Sequence, residues 1–94
     1  MTESELRARV VHLAHVAGWR VFSLPIARTR RPVKDAVGYP DLTLARRKSV
    51  LFIEIRGDGG VLSEAQRGWA EDLPDCHVIT PANLRDFVLE RLLV

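Results

Sequence analysis

Two apolar runs, "DLTLA" (41–45) and "SVLFIEI" (49–55), stand on either side of the basic stretch "RRK" (46–48). Short strand-like runs separated by so few residues predict an antiparallel hairpin. If it closes tightly over Arg47 and Lys48, Arg46 faces Ser49 and, counting outward, Asp41 faces Glu54. Directly opposed residues share a face with their Cβ atoms about 5 Å apart. Glu54 and Arg56, two apart on one strand, share that face as well, while Leu51, Ile53 and Ile55 point to the other. Leu42 and Leu44 join this second, buried side. Arg-Lys is not a favoured pair for a two-residue turn, so a slip of register by one or two residues stays open.

The flanking sequence supplies helices to cover such a hairpin. Leu6, Val10, Leu13, Ala14 and Ala17 recur at helical spacing, with Thr2 and Glu5 at the spacing of a capping box and Gly18 at the end. "WRVFSL" reads as a short strand, and residues 25–37 as a loop. Ser63 and Gln66 repeat the capping-box signature and open a helix running to about Leu73. "CHVIT" is a further strand. Thr80 as N-cap and Pro81 as first helical residue start a last helix with Leu84, Phe87, Val88 and Leu92 on one side. The expected order is α-β-β-β-α-β-α, an α/β fold with a small mixed sheet flanked by helices, in a single domain over residues 1–94. A chain of 94 residues has a thin core, so association into a homodimer is expected to supplement it.

Composition narrows the class. At 47% hydrophobic and 28% charged residues the chain is neither disordered nor membrane-like. Its longest apolar stretch is far short of the roughly 20 residues that span a bilayer. The acidic, helical start carries no signal core, and the lone Cys76 cannot form an internal disulfide, so a reducing, cytoplasmic setting is expected. The net charge is only +2, but "RTRRPVK" and "RRK" concentrate half of the Lys and Arg residues. Arg28, Arg30, Arg31 and Lys34 form a basic, proline-containing loop of the kind that tracks a phosphate backbone, or else a solvated surface loop.

Two carboxylates as close as Asp41 and Glu54 repel one another unless a cation sits between them. Hard oxygen donors suit Mg²⁺ or Mn²⁺, ions that also bind substrate phosphate and activate water for phosphodiester hydrolysis. The plainer alternative makes Asp41 a strand-entry turn residue and gives Glu54 a surface arginine as partner. Other chemistry is poorly supported. His12 and His15 are not at the i, i+4 spacing of a helical metal pair, and His77 beside Cys76 has no visible partner set. Ser63 lacks histidine and acid partners for a hydrolase triad. Trp19 and Trp69 read as core residues rather than base-stacking platforms.

Gly38-x-Pro40-Asp41, then Glu54-x-Arg56, a glycine-rich turn and "LSEAQRGW" resemble the virus-type replication-repair nuclease (VRR-NUC) branch of the PD-(D/E)XK nucleases. The similarity runs from the "ESELRARVVHLAHVAGW" helix to the closing helix. It implies a restriction-endonuclease-like core in which Asp41 and Glu54 bind the metal, helped by the backbone carbonyl of Ile55 and, through water, by a first-helix glutamate at the place of Glu5. Gln66 corresponds to the family's helix glutamine near the site, and capping is its alternative role, as it is for Glu5.

The departure is Arg56, where the family usually has lysine. A guanidinium stays protonated, so Arg56 is excluded as a general base. It remains able to clamp a scissile phosphate electrostatically. The resemblance therefore implies a Mg²⁺- or Mn²⁺-dependent DNA endonuclease, selective for structure and similar to a four-way (Holliday) junction resolvase. A two-fold dimer would present two sites to two symmetric strands. Two alternatives stand beside it: a DNA-binding module silenced by Arg56, and an unrelated small α/β interaction domain.

Overall fold

The computed structural model of the chain describes residues 1–23 and 36–94. Helix α1 (Glu3–Val16) is followed by strand β1 (Arg20–Ser23), the hairpin β2 (Leu42–Arg46) and β3 (Ser49–Ile55), helix α2 (Glu64–Asp72) and strand β4 (Cys76–Ile79). Helix α3 (Leu84–Phe87) runs on into a π-helical segment (Val88–Leu92). The expected element order is the order observed.

The sheet has the strand order β1-β2-β3-β4. Its first three strands form an antiparallel meander, and β4 joins β3 in parallel after the α2 crossover. The hairpin closes over Arg47 and Lys48, with Arg46 opposite Ser49 and Leu42 opposite Ile53. One further step outward sets Asp41 against Glu54. Arg47 and Lys48 have φ of 49° and 69°. Both central residues of a tight hairpin turn of the I′ kind need that left-handed backbone, because its twist matches that of the strands. The packed strands therefore impose on Arg-Lys a conformation it does not favour.

The core is one cluster. Leu6, Val10 and Ala14 of α1 pack with Leu42, Leu44, Leu51, Ile53, Ile55 and Ile79 of the sheet and with Phe87 and Leu92 of the last helix. Alternation along β3 sends Phe52 and Glu54 to the opposite side. There Tyr39 meets Phe52 and Trp69 edge to face, with ring centroids 6.4 and 5.0 Å apart. The Trp69 indole also donates to the Val37 carbonyl at 3.1 Å, so α2 is fastened over the Glu54 face. Trp19 is buried, its indole donating to the Leu92 carbonyl at 3.0 Å. Trp19 is thus a core residue as expected, whereas Trp69 lies outside the core, half-buried against Tyr39 on the Glu54 side of the sheet.

The last helix begins later than Pro81. The Asn83 side chain accepts from the Thr80 N–H and donates to the Val78 carbonyl, both at 2.8 Å, and this holds residues 80–83 as a turn. Among the described residues no helix is long and apolar enough to cross a membrane.

Candidate functional site

The amino-terminal turns of α1 and α2 both reach the carboxyl end of β3. Each turn is closed by the expected capping box. The Thr2 hydroxyl accepts from the Glu5 N–H while Glu5 accepts from the Thr2 N–H, and Ser63 and Gln66 do the same. The two helix starts bring Glu3, Ser4 and Arg7 from one side and Gln66 from the other toward Asp41, Glu54 and Ile55.

Glu54 is the only charged or polar residue in the buried set among the described residues, with 4% of its surface exposed. Burial, then a hydrogen bond with Asp41 and the Asp41 charge, push its carboxyl up to about 8; the Arg56 charge opposes the shift and Glu3 adds to it. Near neutral pH Glu54 is therefore largely protonated. Its Oε1 accepts from Gln66 Nε2 at 3.2 Å. The orientation of that amide follows from Gln66 Oε1, which accepts from the Ser63 N–H at 2.8 Å. Gln66 accordingly both caps α2 and holds Glu54; the two roles do not compete.

Asp41 Oδ2 accepts the Ile55 N–H at 2.8 Å across the hairpin mouth. Its Oδ1 faces Arg7 Nη1 at 3.6 Å. Arg56 leaves the strand with its backbone N–H donating to the Ile79 carbonyl at 2.9 Å. Its Nε is buried and has no hydrogen-bond partner among the described residues. A buried donor left unpaired costs roughly 1–3 kcal/mol, so this one needs a partner from outside the described residues, whether water, ligand or chain.

Of the two α1 glutamates, Glu3 lines the cleft beside Asp41, while Glu5 takes the capping role that was its alternative. Glu5 is fully exposed, its carboxylate turned back onto Thr2, which holds it below the usual carboxylate range. Glu3, the first residue of the helix, accepts the Gly57 N–H at 3.0 Å. It lines a cleft of ≈ 220 Å³ with Ser4, Arg7, Asp41 and Ile55. Glu5 serves the capping box and points along its own helix, while Glu3 and Arg7 continue the Leu6–Val10 side outward toward the sheet.

Gly38 explains how Asp41 arrives. It has φ of +84°, and a Cβ there would lie 2.5 Å from the Ala65 carbonyl carbon and 2.7 Å from the Gln66 nitrogen. Only glycine lets the 38–41 segment pass this close to the start of α2, which sets Asp41 and Gln66 around one buried glutamate.

The remaining candidates are structural or fall elsewhere. His12 and His15 are exposed on α1. His77 does have partners: its Nε2 lies 2.9 Å from Asp75 Oδ1, and Arg91 pairs with the other Asp75 oxygen, which ties β4 to the end of the chain. Arg28, Arg30, Arg31 and Lys34 lie outside the described residues. Among the described residues no three His, Cys, Asp or Glu side chains converge to hold a metal ion. Asp41 and Glu54 are the two acids of the site that lie closest together, and any ion held there would need backbone oxygen, water and substrate to complete its shell. Such sparse coordination suits Mg²⁺, which keeps several waters and is commonly held by one or two carboxylates and a substrate phosphate. No protein-family model, curated protein or solved structure matches the chain.

Proposed function

We propose that this chain is a divalent-metal-dependent DNA endonuclease of the VRR-NUC kind, built on a restriction-endonuclease-like core. The observation that carries the reading is the buried Glu54 carboxyl set against Asp41 across the hairpin, with guanidinium groups at its margin. Asp41 and Glu54 would hold Mg²⁺ or Mn²⁺, with the Ile55 carbonyl as a further donor. When bound, the ion would supply the charge neutralisation and Lewis acidity that phosphodiester hydrolysis needs.

The chain's own residues have separable tasks in this reading. Gln66 keeps the Glu54 carboxyl oriented toward Asp41. Arg56, fixed by the strand and permanently charged, binds a non-bridging oxygen of the scissile phosphate and stabilises charge as it develops there. The reaction adds water across a P–O bond, with hydroxyl going to phosphorus and the proton to the leaving sugar oxygen. Branched DNA is the proposed substrate, met by a homodimer that offers one site to each of two strands. The basic segment holding Arg28, Arg30, Arg31 and Lys34 would contact backbone phosphates, and the proposed setting is cytoplasmic.

The test is cleavage of a four-way junction, a flap and a duplex with Mg²⁺ and with Mn²⁺, comparing wild type with Asp41→Ala. Metal-dependent cutting that disappears in the variant supports the proposal; equal products from both proteins refute it. A second reading, a DNA-binding module without catalysis, is favoured by Arg56 itself, since no lysine stands at that place to help orient or deprotonate water. Binding to DNA without cleavage under either metal would establish it.

A further inference from the structure

Two half-buried arginines differ in what they do with their donors. Arg46 commits its guanidinium to structure: Nη1 donates to the carbonyls of Ala17 at 2.8 Å and Leu92 at 3.1 Å, Nη2 donates to Val94, and the group lies 4.2 Å over the Trp19 ring. Arg7 does not. Nη2 donates to the Ser23 hydroxyl at the end of β1. Nη1 stands 3.6 Å from Asp41 Oδ1, beyond hydrogen-bond range, so Arg7 neutralises Asp41 without being bonded to it.

Its surroundings leave it facing the cleft. Glu3, one helical turn earlier, is the expected i, i+4 partner for Arg7. That carboxylate has instead turned to the Gly57 N–H. Asp41 Oδ2 accepts from the Ile55 N–H, and Oδ1 is the oxygen nearest Arg7. A guanidinium carries five donors in a planar fork that matches phosphate oxygens. The Ser23 tether limits its rotamers in advance, which lowers the entropy lost on binding.

We infer that Arg7 is a second phosphate-binding cation of this site, which in the metal-free protein serves as the counter-charge on Asp41 and in the loaded protein grips a phosphodiester in the cleft lined by Glu3, Ser4, Arg7 and Asp41. The inference rests on Asp41 and Glu54 being the metal pair. It makes one residue act in opposite directions on two ligands. As a fixed positive charge beside Asp41, Arg7 weakens metal binding; as a phosphate ligand, it strengthens DNA binding.

The experiment titrates Mn²⁺ alone into wild type, Arg7→Gln, Arg7→Lys and Asp41→Ala by calorimetry, then measures binding of a labelled DNA duplex in Ca²⁺ by fluorescence anisotropy over a range of salt. Arg7→Gln is expected to bind Mn²⁺ roughly 3–10-fold tighter, as expected when a like charge nearby is removed. Its DNA affinity should fall about 10-fold, with the salt slope reduced by about one unit. Arg7→Lys, which keeps charge but loses the fork, should leave Mn²⁺ binding near wild type and still weaken DNA binding.

If Arg7→Gln fails to fold, Arg7→Lys alone decides, and unchanged DNA affinity in it overturns the inference. A merely structural Arg7 would lower both affinities together with the melting temperature, or move neither, and either pattern overturns it. Should wild type bind no Mn²⁺, or Asp41→Ala bind it equally well, the metal pair itself is wrong and the inference falls with it. If Mn²⁺ binding needs Asp41 but Arg7→Gln leaves DNA affinity and salt slope unchanged, the pair stands and the role of Arg7 does not.

Discussion

Gln66 reaches Glu54 with one end of its amide, Nε2 to Oε1 at 3.2 Å, while the other end closes the first turn of its own helix on the Ser63 N–H. One side chain thus joins the cap of α2 to a buried acid of the sheet. Loss of a cap costs about 1 kcal/mol, and loss of a hydrogen bond to a buried polar group about 1–3 kcal/mol. Gln66→Ala is therefore expected to lower stability by roughly 2–4 kcal/mol in urea denaturation. Ser63→Ala, which removes only the cap, should cost about 1 kcal/mol. Equal losses in the two variants would show that the contact with Glu54 contributes nothing.

The Glu54 proton gives stability a pH dependence of unusual sign. An unfolded glutamate loses its proton near 4.5, whereas this folded one keeps it to about 8. Across that window the native state binds more protons, so metal-free stability is full below about 4.5 and is lost as pH rises through 8. A shift of this size corresponds to a loss on the order of 5 kcal/mol. Urea midpoints measured in EDTA from pH 5.5 to 8.5 should fall steadily for wild type. Glu54→Gln, an uncharged isostere, should remain flat and be the more stable protein at pH 8.5. Parallel slopes for the two would place the titrating group elsewhere.

Gly38→Ala tests whether the approach of Asp41 depends on close backbone packing. The residue has φ of +84° and its added methyl would overlap Ala65 and Gln66. A left-handed backbone at a non-glycine residue costs roughly 1–3 kcal/mol, and overpacking adds about as much. The expected loss is about 2–5 kcal/mol, with Mn²⁺ affinity reduced because Asp41 and Gln66 are pushed apart. A variant with wild-type stability and metal affinity would contradict the geometry.

Features that depend on neighbours in the chain are legible in the sequence. The hairpin register follows from tight closure over Arg47-Lys48, although a slip of one or two residues stays open at that level. Both capping boxes follow from a three-residue spacing. Asp41 opposite Glu54 rests on that register, whereas Gln66 beside the site comes only from the resemblance. The turn pair Arg47-Lys48 points the other way, because a locally unfavourable φ is outweighed by the strands it joins. Local spacing does not reveal how α1 rotates on the sheet. That rotation selects Glu3 over Glu5 and brings Arg7 to Asp41, and it is decided by the packing of Leu6, Val10 and Ala14 against the strands. The pairing of Asp75 with Arg91 is hidden for a similar reason, since Arg91 lies sixteen residues further along the chain.

Within the proposed function, Arg56 separates an active nuclease from a silenced one. Its charge draws the Glu54 proton off, although burial and Asp41 outweigh it, and its buried Nε has no partner among the described residues. A fixed cation beside the carboxylate pair is suited to a phosphate oxygen and unsuited to accepting a proton. Arg56→Lys is therefore expected to keep or raise the rate of cleavage in Mg²⁺, since the positive charge stays and a group able to orient water is added. Arg56→Ala should lose phosphate stabilisation worth about 2–4 kcal/mol, or roughly 10²–10³ in rate. Single-turnover cleavage of a labelled junction by the three proteins separates the readings. An inert wild type beside an active Arg56→Lys identifies a binding protein that one substitution returns to catalysis. An Arg56→Ala protein that cuts as fast as wild type shows that the guanidinium does not touch the phosphate at all.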